Sequence, residues 1–135
     1  MAIVIWREEY NVNVREIDEQ HKTMLELVNN IHCAVEARIG KDDLVELLGQ
    51  LVDFTRGHFS TEEQLMKKHD YPDLAEHHKE HRLLLQYLVD LLDAVSSGKR
   101  LTFYSDYDVS TDWALTHISE HDQDLGVFLR SKGVS

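Results

Sequence analysis

Residues 73–95, DLAEHHKEHRLLLQYLVDLLDAV, decide the fold. Leu74, His77, His81, Leu84, Leu88, Leu91 and Val95 recur at steps of three and four, the period of one helix face. Pro72 precedes the stretch and Gly98 follows it, so a helix over about 73–97 has both its start and its stop signal. Working outward, the same period returns three more times. A helix over about 18–38 carries His21, Met24, Val28, Ile31 and Val35, with Asp18 as its expected N-cap. One over about 41–69 carries Leu44, Leu47, Leu51, Phe54, His58 and Leu65, and one over about 105–124 carries Trp113 and His117. Short connections between such segments predict an all-α, antiparallel up-down-up-down four-helix bundle, preceded by an N-terminal arm over 1–17.

Composition narrows the class. The 135 residues fit a single domain, large enough to bury a core without disulfides. A net charge of -11 leaves no basic excess for displacing counterions from nucleic acid, and it disfavours anionic lipid surfaces. No nucleic-acid partner is expected. The single Cys33 cannot close an internal disulfide, and the apolar run Ala2 to Trp6 is too short for a signal-peptide core. No run reaches membrane-spanning length, so the expectation is a cytoplasmic protein with no membrane partner. Nine histidines in this acidic chain call for an explanation.

Five of them sit where a bundle seam expects leucine. His21, His58, His77, His81 and His117 are spread over four facing helices. Burying five imidazoles separately would demand a partner for each, or cost a few kcal/mol per unsatisfied group. One shared metal centre satisfies them together. His58 and Glu62 are i and i+4, as are His77 and His81, so each pair shares a face at roughly 5–6 Å between Cβ atoms. A buried Glu62 is costly alone and a good ligand beside a cation. On the fourth helix, spacing leaves His121 and Asp122 as rivals, because i,i+4 logic selects His121. A π-type turn near residues 117–122 would bring Asp122 onto the face of His117 instead. Leu25, Phe54, Met66, Leu84 and Trp113 lie one turn from these positions, first as core and second as an apolar wall. His32 lies three turns from His21, roughly 16 Å along the axis, too far to share the centre. His69 suits a helix C-terminus, His78 and His121 a solvated rim, and Cys33 a buried or boundary site. The acidic pairs Glu8-Glu9, Asp42-Asp43 and Glu62-Glu63 read as solvated faces, Glu62 excepted.

Read together, Trp6, IDEQHK at 17–22, HFSTEE at 58–63, Tyr71-Pro72, His77 through His81, and Trp113 leading to His117-Ile118 and Asp122 resemble the hemerythrin family, specifically its bacteriohemerythrin-type domains. The likeness covers essentially the whole chain. It implies two iron ions, oxo- or hydroxo-bridged, in a carboxylate-bridged centre. One iron would take His77, His81 and His117, and the other His21 and His58, with Glu62 and Asp122 bridging. The resemblance thus favours Asp122 over His121. Relatives often have glycine where Asn13 stands, and asparagine tolerates positive φ.

The resemblance further implies reversible dioxygen binding, for carriage, storage or delivery, by a binder and not an enzyme. Seven such ligands supply nine donor atoms. With a bridging oxygen counted twice, two six-coordinate irons keep one open position, on the iron holding His21 and His58. Oxygen-activating di-iron bundles are built on Glu-x-x-His motifs, and none occurs here. Two rivals accompany this reading. A domain of this family can sense oxygen or redox state within a larger signalling protein, its partner then an output domain instead of an oxygen acceptor. Residues 77–81 and 117–121 also fit H-x-x-E-H, a zinc-hydrolase pattern, though such a site would leave His21 and His58 buried without purpose.

Overall fold

In the computed structural model, residues 6–98 and 122–135 are described. A single 3₁₀ turn, Glu8–Tyr10, precedes α1 (Arg15–Glu36), α2 (Lys41–Lys68), α3 (Leu74–Ser96) and α4 (Asp122–Ser131). The chain is all-α, a four-helix bundle whose α2 packs against α1 and α3 and touches α4. The described part of the fourth helix runs on to Ser131, past the expected end near 124, while its expected start near 105, with Trp113, lies outside the described residues.

Helix ends explain the remaining shifts. α1 begins at Arg15, so Asp18 is not its N-cap. Its buried carboxylate instead accepts the Val12 N–H at 2.7 Å and the Asn13 N–H at 3.1 Å, fastening the turn in front of the helix. Asn13 adopts φ 62° in that turn, a conformation asparagine tolerates. The stop signals also move. α1 and α2 are both closed by a residue at φ 56° just past the C-cap, Arg38 and Asp70, and neither is glycine. In each case the following amide bonds back five residues, Ile39 N to Ala34 O at 3.2 Å and Tyr71 N to Met66 O at 2.9 Å. This is the Schellman closure, usually given to glycine. Gly40 sits two residues later, in the N-cap position of α2.

The core divides in two. One apolar cluster joins Met24, Val28, Ile31, Leu48, Leu51, Phe59, Leu88 and Val95. A second joins Val12, Val14, Ile17, Met66, Tyr71, Leu125 and Leu129. On α2 the buried stripe is Leu44, Leu48, Leu51, Val52, Thr55, His58, Phe59, Glu62 and Met66. Leu47, Phe54 and Leu65 are only half-buried, so the stripe is rotated from the one expected. The cause is that α2 is covered from both sides, by α1 and by α3, which widens its buried arc. Cys33 is exposed, not buried.

The arm is part of the second cluster. Val12 and Val14 are buried, and Gln123 Nε2 donates to the carbonyls of Glu9 and Asn11, both at 3.2 Å. Gly126 makes this approach possible. A Cβ there would lie 2.7 Å from both the Cβ and the carbonyl oxygen of Val12. Gly126→Ala is therefore expected to lower the stability of the protein by about 1–3 kcal/mol. Gly49→Ala, with nothing within 4 Å of the added Cβ, should raise it by about 0.5–1 kcal/mol. Urea unfolding of the two variants checks both signs, and an unaffected Gly126→Ala protein would show that the arm does not press on α4.

Candidate metal centre

Between the two apolar clusters lies a layer of buried polar side chains. α1 contributes His21, between Ile17 of one cluster and Met24 of the other. α2 contributes His58 and Glu62, α3 contributes His77 and His81, and α4 contributes Asp122. All six are buried, and Glu62, His21 and Asp122 expose no surface. The i,i+4 pairs on α2 and α3 do what their spacing predicted, turning both members of each pair to one face. Asp122 points inward, as its choice over His121 requires. His117, His121 and the turn joining them to Asp122 lie outside the described residues.

The geometry of the two carboxylates is specific. Glu62 directs Oε2 at one histidine pair, 3.0 Å from His58 Nε2 and 3.6 Å from His21 Nε2. Its Oε1 faces the other pair, 2.9 Å from His81 Nε2 and 3.3 Å from His77 Nε2. Asp122 repeats the division. Its Oδ2 is 2.6 Å from His21 Nε2 and 3.7 Å from His58 Nε2, while Oδ1 is 3.1 Å from His77 Nε2. Each carboxylate thus gives one oxygen to each side. Among the described residues, two groups can hold a cation: His21, His58, Glu62 and Asp122, and Glu62, His77, His81 and Asp122. The donor atoms in each group lie within 4.8 Å of one another. Both groups share the same two carboxylates. Imidazole nitrogen with carboxylate oxygen is a donor set suited to first-row transition metals.

Residues outside the expected ligand set complete the site. Gln20 Oε1 lies 2.7 Å from His58 Nδ1, and Glu63 Oε2 lies 3.2 Å from His81 Nδ1. Glu63 is therefore not a solvated acid: it bridges His81 and the half-exposed His78, whose Nδ1 contacts its other oxygen. The missed signal is a general one, since a ligating imidazole needs a partner for its second nitrogen. The ring of Phe59 stacks on His81 with centroids 3.9 Å apart, and that of His21 meets His58 edge-on at 4.6 Å. Of the expected wall, Leu25 and Met66 are buried, and Phe54 and Leu84 are half-buried. His32 is buried three turns from His21, with Nε2 3.9 Å from Glu36 Oε2, and takes no part in either group. His69 stands in the C-cap position of α2 beside Lys67 and Lys68.

Residues 12–129 match the sequence profile of the hemerythrin HHE cation binding domain. The chain belongs to the hemerythrin family. A bacteriohemerythrin of Methylococcus capsulatus is 32% identical over 127 residues, covering 93% of this chain and 96% of that protein. A bacteriohemerythrin of Stenotrophomonas maltophilia is 28% identical over 130 residues, covering 91% and 79%. A crystal structure of wild-type hemerythrin superposes with a TM-score of 0.86 at 31% identity, covering 95% of this chain and 98% of that one.

The carboxylates also govern protons. Burial alone would push the imidazoles of His21, His58 and His77 down, away from their charged form. Hydrogen bonds and charge from Asp122 and Glu62 outweigh it, leaving His21 above its ordinary value, His58 at about 9 and His77 at about 10. Without metal, protons on these rings are the cations that the carboxylates hold. A metal ion must displace them, so its affinity falls as pH falls.

For the metal-free protein the sign follows directly. A histidine raised on folding adds stability that is fully present below its unfolded value near 6.5 and lost as pH rises through its folded value. Metal-free protein is expected to unfold at lower urea concentration at pH 10 than at pH 6.5. The loss should shrink in a His58→Gln, His77→Gln double variant. An identical loss in that variant would contradict the assignment.

Proposed function

We propose that the protein binds dioxygen reversibly at a carboxylate-bridged di-iron centre. His21 and His58 hold one iron, and His77, His81 and His117 hold the other, with Glu62 and Asp122 bridging. The observation that carries this reading is the division of each buried carboxylate, one oxygen toward each histidine set. A one-metal site needs no such division, so the zinc-hydrolase pattern at residues 77–81 has the weaker support. His77 and His81 face the same two carboxylates as His21 and His58.

When bound, ferrous iron supplies the electrons and the coordination position that dioxygen requires. The chain supplies the surroundings. Four described imidazoles against two carboxylates make a donor set poorer in negative charge than the glutamate-rich sets of oxygen-activating bundles. That favours holding dioxygen over cleaving it, and the protein is a binder instead of an enzyme. Leu25 and Met66, with Phe59 against His81, keep water and stray protons from the centre. Nε2 of His21 lies against Asp122 and that of His58 against Glu62, so both histidines of this half face the carboxylates.

Iron counting and gas uptake test the proposal. Reduced protein loaded with ferrous iron should hold two irons per chain and take up one dioxygen per pair, released on degassing. His58→Ala should lose the iron of its own half and the uptake with it, whereas His121→Ala should keep both irons. One iron per chain, or consumption of dioxygen without release, would rule out the carrier reading.

A further inference from the structure

We infer that Gln20 and Glu63 are positioning residues that make the two halves of the centre unequal, a neutral amide backing the half with His58 and a carboxylate backing the half with His81. The inference rests on the two-cation reading above and concerns what lies behind the ligands.

The orientation of Gln20 is forced by a chain of hydrogen bonds. The Gly57 carbonyl can only accept, so Thr61 Oγ1, 3.0 Å away, spends its one proton there. The Thr61 oxygen must then accept from Gln20 Nε2 at 3.2 Å. This turns Gln20 Oε1 to His58 Nδ1, at 2.7 Å, and an amide oxygen can only accept. His58 therefore carries a proton on Nδ1 and presents Nε2 to the cluster. Through Thr61 and Gln20, the Gly57 backbone carbonyl fixes the tautomer of a buried imidazole.

On the other half the same task falls to an anion. Glu63 Oε2 accepts from His81 Nδ1 at 3.2 Å, and its other oxygen accepts from His78. A carboxylate behind an imidazole raises its donor strength more than an amide does, because the hydrogen bond is charge-assisted. The half with His77 and His81 is thus the stronger donor and the firmer metal holder. The half with His21 and His58 is held in geometry but not enriched in charge, which suits the side that must release its ligand.

Zinc(II) alone, being redox-inert and diamagnetic, is the probe. Calorimetric titration of the metal-free full chain is expected to give two zinc ions per chain in two distinguishable steps. Glu63→Gln should weaken the tighter step about 10–100-fold and leave the weaker one in place. Gln20→Glu should tighten the weaker step by a similar factor. In the zinc-loaded protein, proton–nitrogen spectra should show Nδ1–H signals from His58 and His81, with the His81 proton further downfield and moving upfield in Glu63→Gln. Thr61→Val should leave His81 unchanged and lose the single His58 signal. An unmoved His81 proton, or a Glu63→Gln variant in which both steps change equally or neither changes, would overturn the inference while two zinc ions still bound. A wild-type stoichiometry of one zinc would overturn the two-cation reading itself, and this inference with it.

Discussion

Two carboxylates in the middle of the bundle set the terms for everything around them. Glu62 and Asp122 are shut off from water, and a lone buried anion costs several kcal/mol. The chain answers with four imidazoles from three helices, arranged so that every carboxylate oxygen faces a nitrogen. In the metal-free protein the carboxylates hold the His58 and His77 imidazoles protonated up to about 9 and about 10. A metal ion would compete with those protons for the same nitrogens, which ties occupancy of the site to pH.

The frame follows from that constraint. A polar layer across a bundle interrupts its apolar seam, and the core accordingly splits into a cluster on either side. The smaller cluster would be thin if it relied on helices alone. The arm thickens it, with Val12 and Val14 laid over Met66, Leu125 and Leu129 and the backbone turned by Asp18. Asp122 lies on the helix that this cluster holds, which links the fit of Gly126 against Val12 to the position of a carboxylate one turn away.

Much of this was legible in the sequence, for a physical reason. Histidines at seam positions contradict the apolar period that surrounds them, and i,i+4 spacing fixes which of them share a face. The helices of α1, α2 and α3 were placed within a few residues by the same period. What escaped was local chemistry with no period. Asp18 resembles an N-cap in sequence, but it is the turn before the helix that needs its oxygens. Arg38 and Asp70 close helices where glycine would be sought, because hydrogen bonds to Ala34 and Met66 outweigh the cost of positive φ. Glu63 looked like a solvated acid because its role depends on α3, and Gln20 drew no notice because its role depends on α2. Spacing alone also could not choose between His121 and Asp122; Asp122 is buried against His21, and His121 lies outside the described residues.

The central claim is that both carboxylates span two cation positions, and anomalous diffraction from a crystal of the iron-loaded protein tests it most directly. The account predicts two iron peaks per chain, one beside His21 and His58 and one beside His77 and His81, with Glu62 and Asp122 each contributing an oxygen to both. A single peak, or a second one that Glu62 and Asp122 do not touch, would contradict it.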